Sequence, residues 1–191
     1  MFGQPKKTIR AVLHTNPRYG VLYLAAIYAL ECFFYYSNWW SLGLSFPLYP
    51  LILTCLVLSP IAGFIWLYFS SWIFYFTGRL LKGKAPALHL RTALAWSHIP
   101  AIFSILMWFA LLATHPDTTF IQDAGIPSSL FINSITLIAT IWSFVLLVQS
   151  IREIQGFSLA CSVGNIILSW FISSILSFVG FVIFRHFYIS L

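Results

Sequence analysis

Charge is what this chain has least of. Lysine and arginine together number 10 and aspartate and glutamate only 4, so charged residues are 7% of 191, against about 25% in soluble domains. With so few acids, catalysis by a carboxylate pair requires Glu31 or Glu153 to meet a loop aspartate from the opposite end of the molecule. The three cysteines, Cys32, Cys55 and Cys161, lie inside apolar segments without metal spacing and read as small hydrophobes. Glycine-rich phosphate loops, a His-Glu-x-x-His pair, a Cys-x-x-Cys pair and a nucleophile elbow are all missing from the sequence. His115 and Asp117 are two loop ligands with no further partners in spacing, short of a metal site. The expectation is therefore a chain that is not an enzyme and holds no cofactor or metal. Polar stretches are short as well: residues 1–18 and 114–129 are the longest, too little to bury a separate core.

What fills the chain instead is apolar. Hydrophobic residues are 60% of it, placing it in the membrane class. A hydrocarbon layer about 30 Å thick takes about 20 residues of helix, and five stretches meet that length: 19–40, 50–77, 92–113, 130–149 and 158–184. The expected architecture is all-α, one membrane bundle spanning 1–191 with five transmembrane helices. The first apolar stretch is longer than a signal-peptide core, contains Glu31 and leads into four more, so it reads as an uncleaved start-transfer helix.

Orientation follows from the basic residues. Lys6, Lys7, Arg10 and Arg18 precede the first span, and Arg79, Lys82, Lys84 and Arg91 lie between the second and third. The segment 41–49 carries no charge, and 114–129 carries Asp117 and Asp123 alone. The positive-inside rule then predicts the N-terminus in and the C-terminus out, with Arg185 and His186 outside. The net charge of +6 is accounted for by that topology and by anionic lipid headgroups, with no need of nucleic acid. Ile9, Val12 and Leu13 oppose Lys6, Lys7, Arg10 and His14 on a helical wheel, an amphipathic lead-in for the inner membrane surface.

Small and polar residues mark the expected seams between helices. Ser162, Asn165, Ser169 and Ser173 share a face of the fifth span, and Asn133, Thr136, Thr140 and Ser143 share one of the fourth. The short turn at Gln155 and Gly156 predicts an antiparallel hairpin in which these faces meet, as packing or as a polar conduit. In the second span Pro47, Pro50 and Pro60 predict a tilted or kinked helix with a lead-in over 42–46, along which Gly63, Ser70 and Thr77 form a sparse seam. In the third, Ala93, Ser97, Pro100 and Ser104 share a face and Pro100 predicts a kink. Trp39, Trp40 and Trp142 suit an interface belt.

Two groups of residues have further chemical potential. Glu31 lies about 18 Å into the first helix, near mid-bilayer, where a carboxyl is costly and a functional candidate. Tyr28, Tyr35 and Asn38 continue its stripe, while His98, one turn into the third span, meets Glu31 only if the helices tilt. At the inner face Arg79, Lys82, Lys84 and Arg91 confront Arg152 and Glu153 of the last turn. That group is a candidate surface for lipid headgroups or a protein partner, beside its role in orientation.

The run 78–100, GRLLKGKAPALHLRTALAWSHIP, and the run 141–163, IWSFVLLVQSIREIQGFSLACSV, resemble the cytoplasmic loop with third span and the fourth-to-fifth turn of the Yip family of five-span membrane proteins. The basic start with Asn16-Pro17-Arg18 is similar to its short prokaryotic branch. The resemblance implies a bacterial cytoplasmic membrane and a scaffold or adaptor for lipids, membrane proteins or further copies of itself. The family's eukaryotic members engage small GTPases, but the 18-residue lead and the missing Asp-Leu-Tyr-Gly-Pro motif here speak against that partner. The alternative is a small transporter, channel or lipid-translocating protein using Glu31 and the polar faces of the fourth and fifth spans.

Overall fold

The computed structural model describes residues 5–122 and 128–189, and these are all-helical, with no strand. Asp123 lies outside them, as do the side chains of Lys6, Lys7 and His186. In chain order the helices are α1 (Pro5–Thr15), α2 (Val21–Trp39), α3 (Leu48–Leu80), α4 (Ala87–Ser97), α5 (Ile99–Thr114), α6 (Ser128–Gln155) and α7 (Leu159–Ile189).

Four segments are long and apolar enough to cross a membrane: Leu48–Leu80, the α4–α5 pair Ala87–Thr114, Leu130–Gln155 and Leu159–Ile183. They support a membrane protein. The 19-residue α2 is not among them, because Glu31, Asn38 and its tyrosines lower its apolar content. Several helices overrun their expected ends: α3 reaches Leu80 rather than 77 and α6 reaches Gln155 rather than 149. Helical hydrogen bonds are satisfied within the segment whether or not lipid surrounds them, so a helix continues past the apolar run that predicts it.

Proline shapes two helices differently. In α3, Pro60 removes the donor that Leu56 O would receive, and the buried Ser59 hydroxyl donates to that carbonyl at 3.1 Å; the helix continues through it. The expected lead-in is a separate 3-10 turn, Leu42–Leu44. Before Pro100 the chain breaks outright: His98 ends α4 and begins α5. Its N–H turns to Ala95 O, and Leu94 O is satisfied instead by Ser97 Oγ at 2.8 Å and His98 Nδ1 at 2.7 Å. Side chains replace the lost backbone bond, as membrane helices require.

The packing falls into an inner and an outer core. The inner one gathers Val21, Leu67, Phe74, Leu94, Ile151 and Ile166, among others, from α2, α3, α4, α6 and α7. The outer one centres on Phe34, Trp108 and Phe120, whose rings lie 5.5–6.1 Å apart, within the range of favourable aromatic pairs. Between the cores α2 and α3 approach so closely that a Cβ on Gly63 would lie 2.5 Å from Ala25 O. Small residues permit that approach.

Candidate intramembrane site and basic face

Between the two cores lies a cavity of about 310 Å³, at the low end for ligand pockets. α2 contributes Tyr28 and Glu31, one turn apart. Trp66 and Ser70 come from α3, and His98 and Ser104 from the broken segment. Thr136, Thr140 and Ser143 line it from α6, with Ser169 and Ser173 from α7. Thr140 and Trp170 both line the cavity and are exposed, so it reaches the lipid-facing flank between α6 and α7.

The rings of Tyr28, Trp66 and His98 form one cluster. Their centroids are 4.7 Å apart for Tyr28–Trp66, 4.1 Å for Tyr28–His98 and 5.0 Å for Trp66–His98, the last edge-on. His98 is fixed by its Nδ1 contact with Leu94 O; a neutral ring donating there keeps Nε2 as an acceptor. Ser104 Oγ and Thr136 Oγ1 are buried without a hydrogen-bond partner, and both residues line the cavity. An orphaned buried hydroxyl costs about 1–3 kcal/mol.

Of the residues anticipated on one intramembrane stripe, Glu31, Tyr28 and His98 share this cavity, while Tyr35 and Asn38 do not. Tyr35 stacks on Trp39 with centroids 6.3 Å apart. Asn38 donates from Nδ2 to Thr119 O at 2.8 Å and so ties the 115–122 loop to the end of α2. Gly43 N donates to Phe120 O at 3.0 Å and Gln122 N to Ser41 Oγ at 3.0 Å in the same junction. No hydrogen bond joins Glu31 to Tyr28, Tyr35 or His98 among the described residues. Trp66 and Trp170 line the cavity without having been anticipated, though Trp66 sits one turn from Gly63 and Ser70 on the small-residue seam of α3.

The expected hairpin seam is rearranged. α6 and α7 do pack against each other, but the buried polar bonds of α7 go to α3. Asn165 Nδ2 donates to Thr77 Oγ1 at 3.1 Å, and the Ser169 and Thr77 hydroxyls are 2.7 Å apart. Ser162 is buried, its hydroxyl donating to Ser158 O within α7 at 2.9 Å. Asn133 is exposed on α6, and beyond Ser173 the described side chains of α7 are exposed on every side. No family model, curated protein or solved structure matches the chain. Its chemistry therefore has to be read from these walls alone.

At the opposite pole from the Phe120 loop, the basic residues gather with α1. Ile9 is fully buried against the bundle, and Arg10 is bound to Glu153, Nε donating to Oε1 at 2.9 Å. Arg79 lies over the Tyr75 ring at 5.1 Å and Arg91 over Tyr68 at 4.5 Å, cation–π contacts that hold the guanidinium groups along the helix surface. Lys82 and Lys84 are exposed and Arg152 is half-buried. Gln155 organises this pole: its Oε1 accepts the Ala85 N–H at 3.0 Å, and its amide occupies the space where side chains on Gly78 and Gly83 would stand. His115 and Asp117 are exposed, and among the described residues no three potential metal ligands cluster.

Proposed function

We propose that the protein is a non-enzymatic, five-span membrane protein that receives a small ligand in the cavity between its helices, acting as a transporter or lipid-handling protein. The convergence of Glu31, the ring cluster and the serines and threonines of α6 and α7 on one cavity carries this reading. A pure packing role for those polar faces predicts mutual contact; here much of their surface borders space that reaches the lipid-facing flank.

In this reading α2 also crosses the membrane, as the first of five spans. Its 19 residues extend about 28 Å, close to the hydrocarbon thickness. Its polar Glu31 and Ser37 are buried within the bundle, so these two groups do not face lipid. The pole bearing α1, Lys82 and Lys84 is cytoplasmic under the positive-inside rule, the C-terminus lies outside, and the membrane is a bacterial cytoplasmic one.

A second reading, a scaffold for anionic lipids or membrane proteins, is favoured by a separate observation. α1 is docked on the bundle with Lys82 and Lys84 exposed beside it, a surface suited to headgroup phosphates. The readings separate in nanodiscs by titration with cationic, neutral and anionic lipophilic probes. Saturable binding that disappears when Ser143→Trp fills the cavity supports the first. Binding of none of them, or binding that the filled variant retains, rejects it.

A further inference from the structure

We infer that the cavity takes a molecule bearing one protonated amine or quaternary ammonium group, seated between the Glu31 carboxylate and the Tyr28 and Trp66 rings. This rests on the reading of the cavity as a ligand site and names what that site selects.

Two features point to that charge. Glu31 is the acid on the wall, and no lysine or arginine lines the cavity. A carboxyl surrounded by apolar protein is either protonated or matched by a countercharge; no basic side chain among the described residues lines these walls, so for the charged form the matching group is a cation from the ligand. The second feature is aromatic. Tyr28 of α2, one turn from Glu31, and Trp66 of α3 both line the cavity with ring centroids 4.7 Å apart, and indole and phenol faces attract ammonium groups most strongly where water is excluded. His98, with Nδ1 engaged by Leu94 O, adds a ring nitrogen acceptor for an ammonium N–H.

Such a ligand is an amine-bearing amphiphile, either a membrane lipid with an ammonium headgroup or a free organic amine of modest size.

The test uses the full-length chain in phosphatidylglycerol nanodiscs, titrated calorimetrically with benzyltrimethylammonium and with its uncharged isostere neopentylbenzene, against empty discs. The expected result is saturable binding of the cation, weakened at least about tenfold by Glu31→Gln or Trp66→Leu, with Glu31→Asp recovering part of it. Both variants are first checked for an unchanged elution profile, and Trp66→Leu stands in should Glu31→Gln fail to fold. Equal affinity for the neutral isostere, or a cation affinity within twofold of the parent in both variants, overturns the charge assignment while leaving a cavity ligand in place. Binding of neither probe overturns the cavity reading itself. Adding phosphatidylethanolamine to the discs then separates the sources: weaker probe binding identifies a lipid headgroup, and unchanged binding a free amine, each consistent with the proposal.

Discussion

A methyl group added at Gly63 tests the closest helix contact of the bundle. The new Cβ would stand 2.5 Å from Ala25 O, 2.7 Å from Ala25 C and 2.9 Å from Ala26 N. These are backbone atoms of α2, which cannot rotate aside as a side chain can. Ordinary contact begins at 3.4 Å, so α2 and α3 must part by at least 3.4 − 2.5 = 0.9 Å at this point. Overpacking of this kind costs about 1–3 kcal/mol, while replacing a helical glycine by alanine returns about 1 kcal/mol. The net expectation for Gly63→Ala is a loss reaching about 2 kcal/mol, and Gly63→Val, which adds two more methyls and gains less helix propensity, loses more. Gly180, in α7, has nothing within 4 Å of its would-be Cβ, so Gly180→Ala keeps only the propensity gain. Thermal unfolding in one detergent, followed by fluorescence-detected size exclusion, reads both changes on the same scale. Opposite signs are expected. A Gly63→Ala protein more stable than the parent, which would give both sites shifts of the same sign, would refute the close approach of α2 and α3.

Thr77→Val removes the hydroxyl that joins Asn165 and Ser169 of α7 to α3; Ser169 keeps its bond to Asn165 O, but orphaning the buried Asn165 amide should cost about 1–3 kcal/mol, seen as a lower Tm; an unchanged Tm would detach α7 from this partner. Lys82 follows α3 with φ of 63°, a left-handed conformation that favours glycine, so Lys82→Gly should raise stability by up to about 1 kcal/mol, and a lowered Tm would contradict the geometry. Glu153→Ala releases Arg10, an exposed pair of about 0–1 kcal/mol; global stability should barely move while trypsin cuts α1 faster, and equal cleavage rates would mean that α1 is held by Ile9 alone.

The membrane class and the long apolar helices were legible because hydrophobic length is a local property. So was the break before Pro100, since a missing N–H acts within one turn. Glu31 stood out by its depth, but its partners did not. Residues 28, 31, 35 and 38 follow helical spacing, yet Tyr35 packs against the outer core and Asn38 bonds to the 115–122 loop, so the latter half of the stripe leaves the cavity. Asn38 is claimed by the carbonyl of Thr119, 81 positions away, a pairing no periodicity announces. The seams of α6 and α7 could be read as faces but not assigned to neighbours. Which neighbour they meet depends on how α7 leans on Thr77 of α3, and that lean opens the space lined by Thr140, Ser143 and Ser173. Gln155 was visible only as part of a turn, because its role rests on two glycines near the end of another helix.

The cavity is tested most directly by thiol chemistry at Ser143, which borders it, and at Ser177, which is exposed on the outer half of α7. In protein lacking Cys32, Cys55 and Cys161, single Ser143→Cys and Ser177→Cys variants in liposomes are treated with a small methanethiosulfonate reagent, with and without benzyltrimethylammonium. The account predicts modification at position 143 that the ammonium compound slows, and little reaction at position 177 in the lipid. Equal, unprotected labelling at both positions, or none at 143, would contradict it.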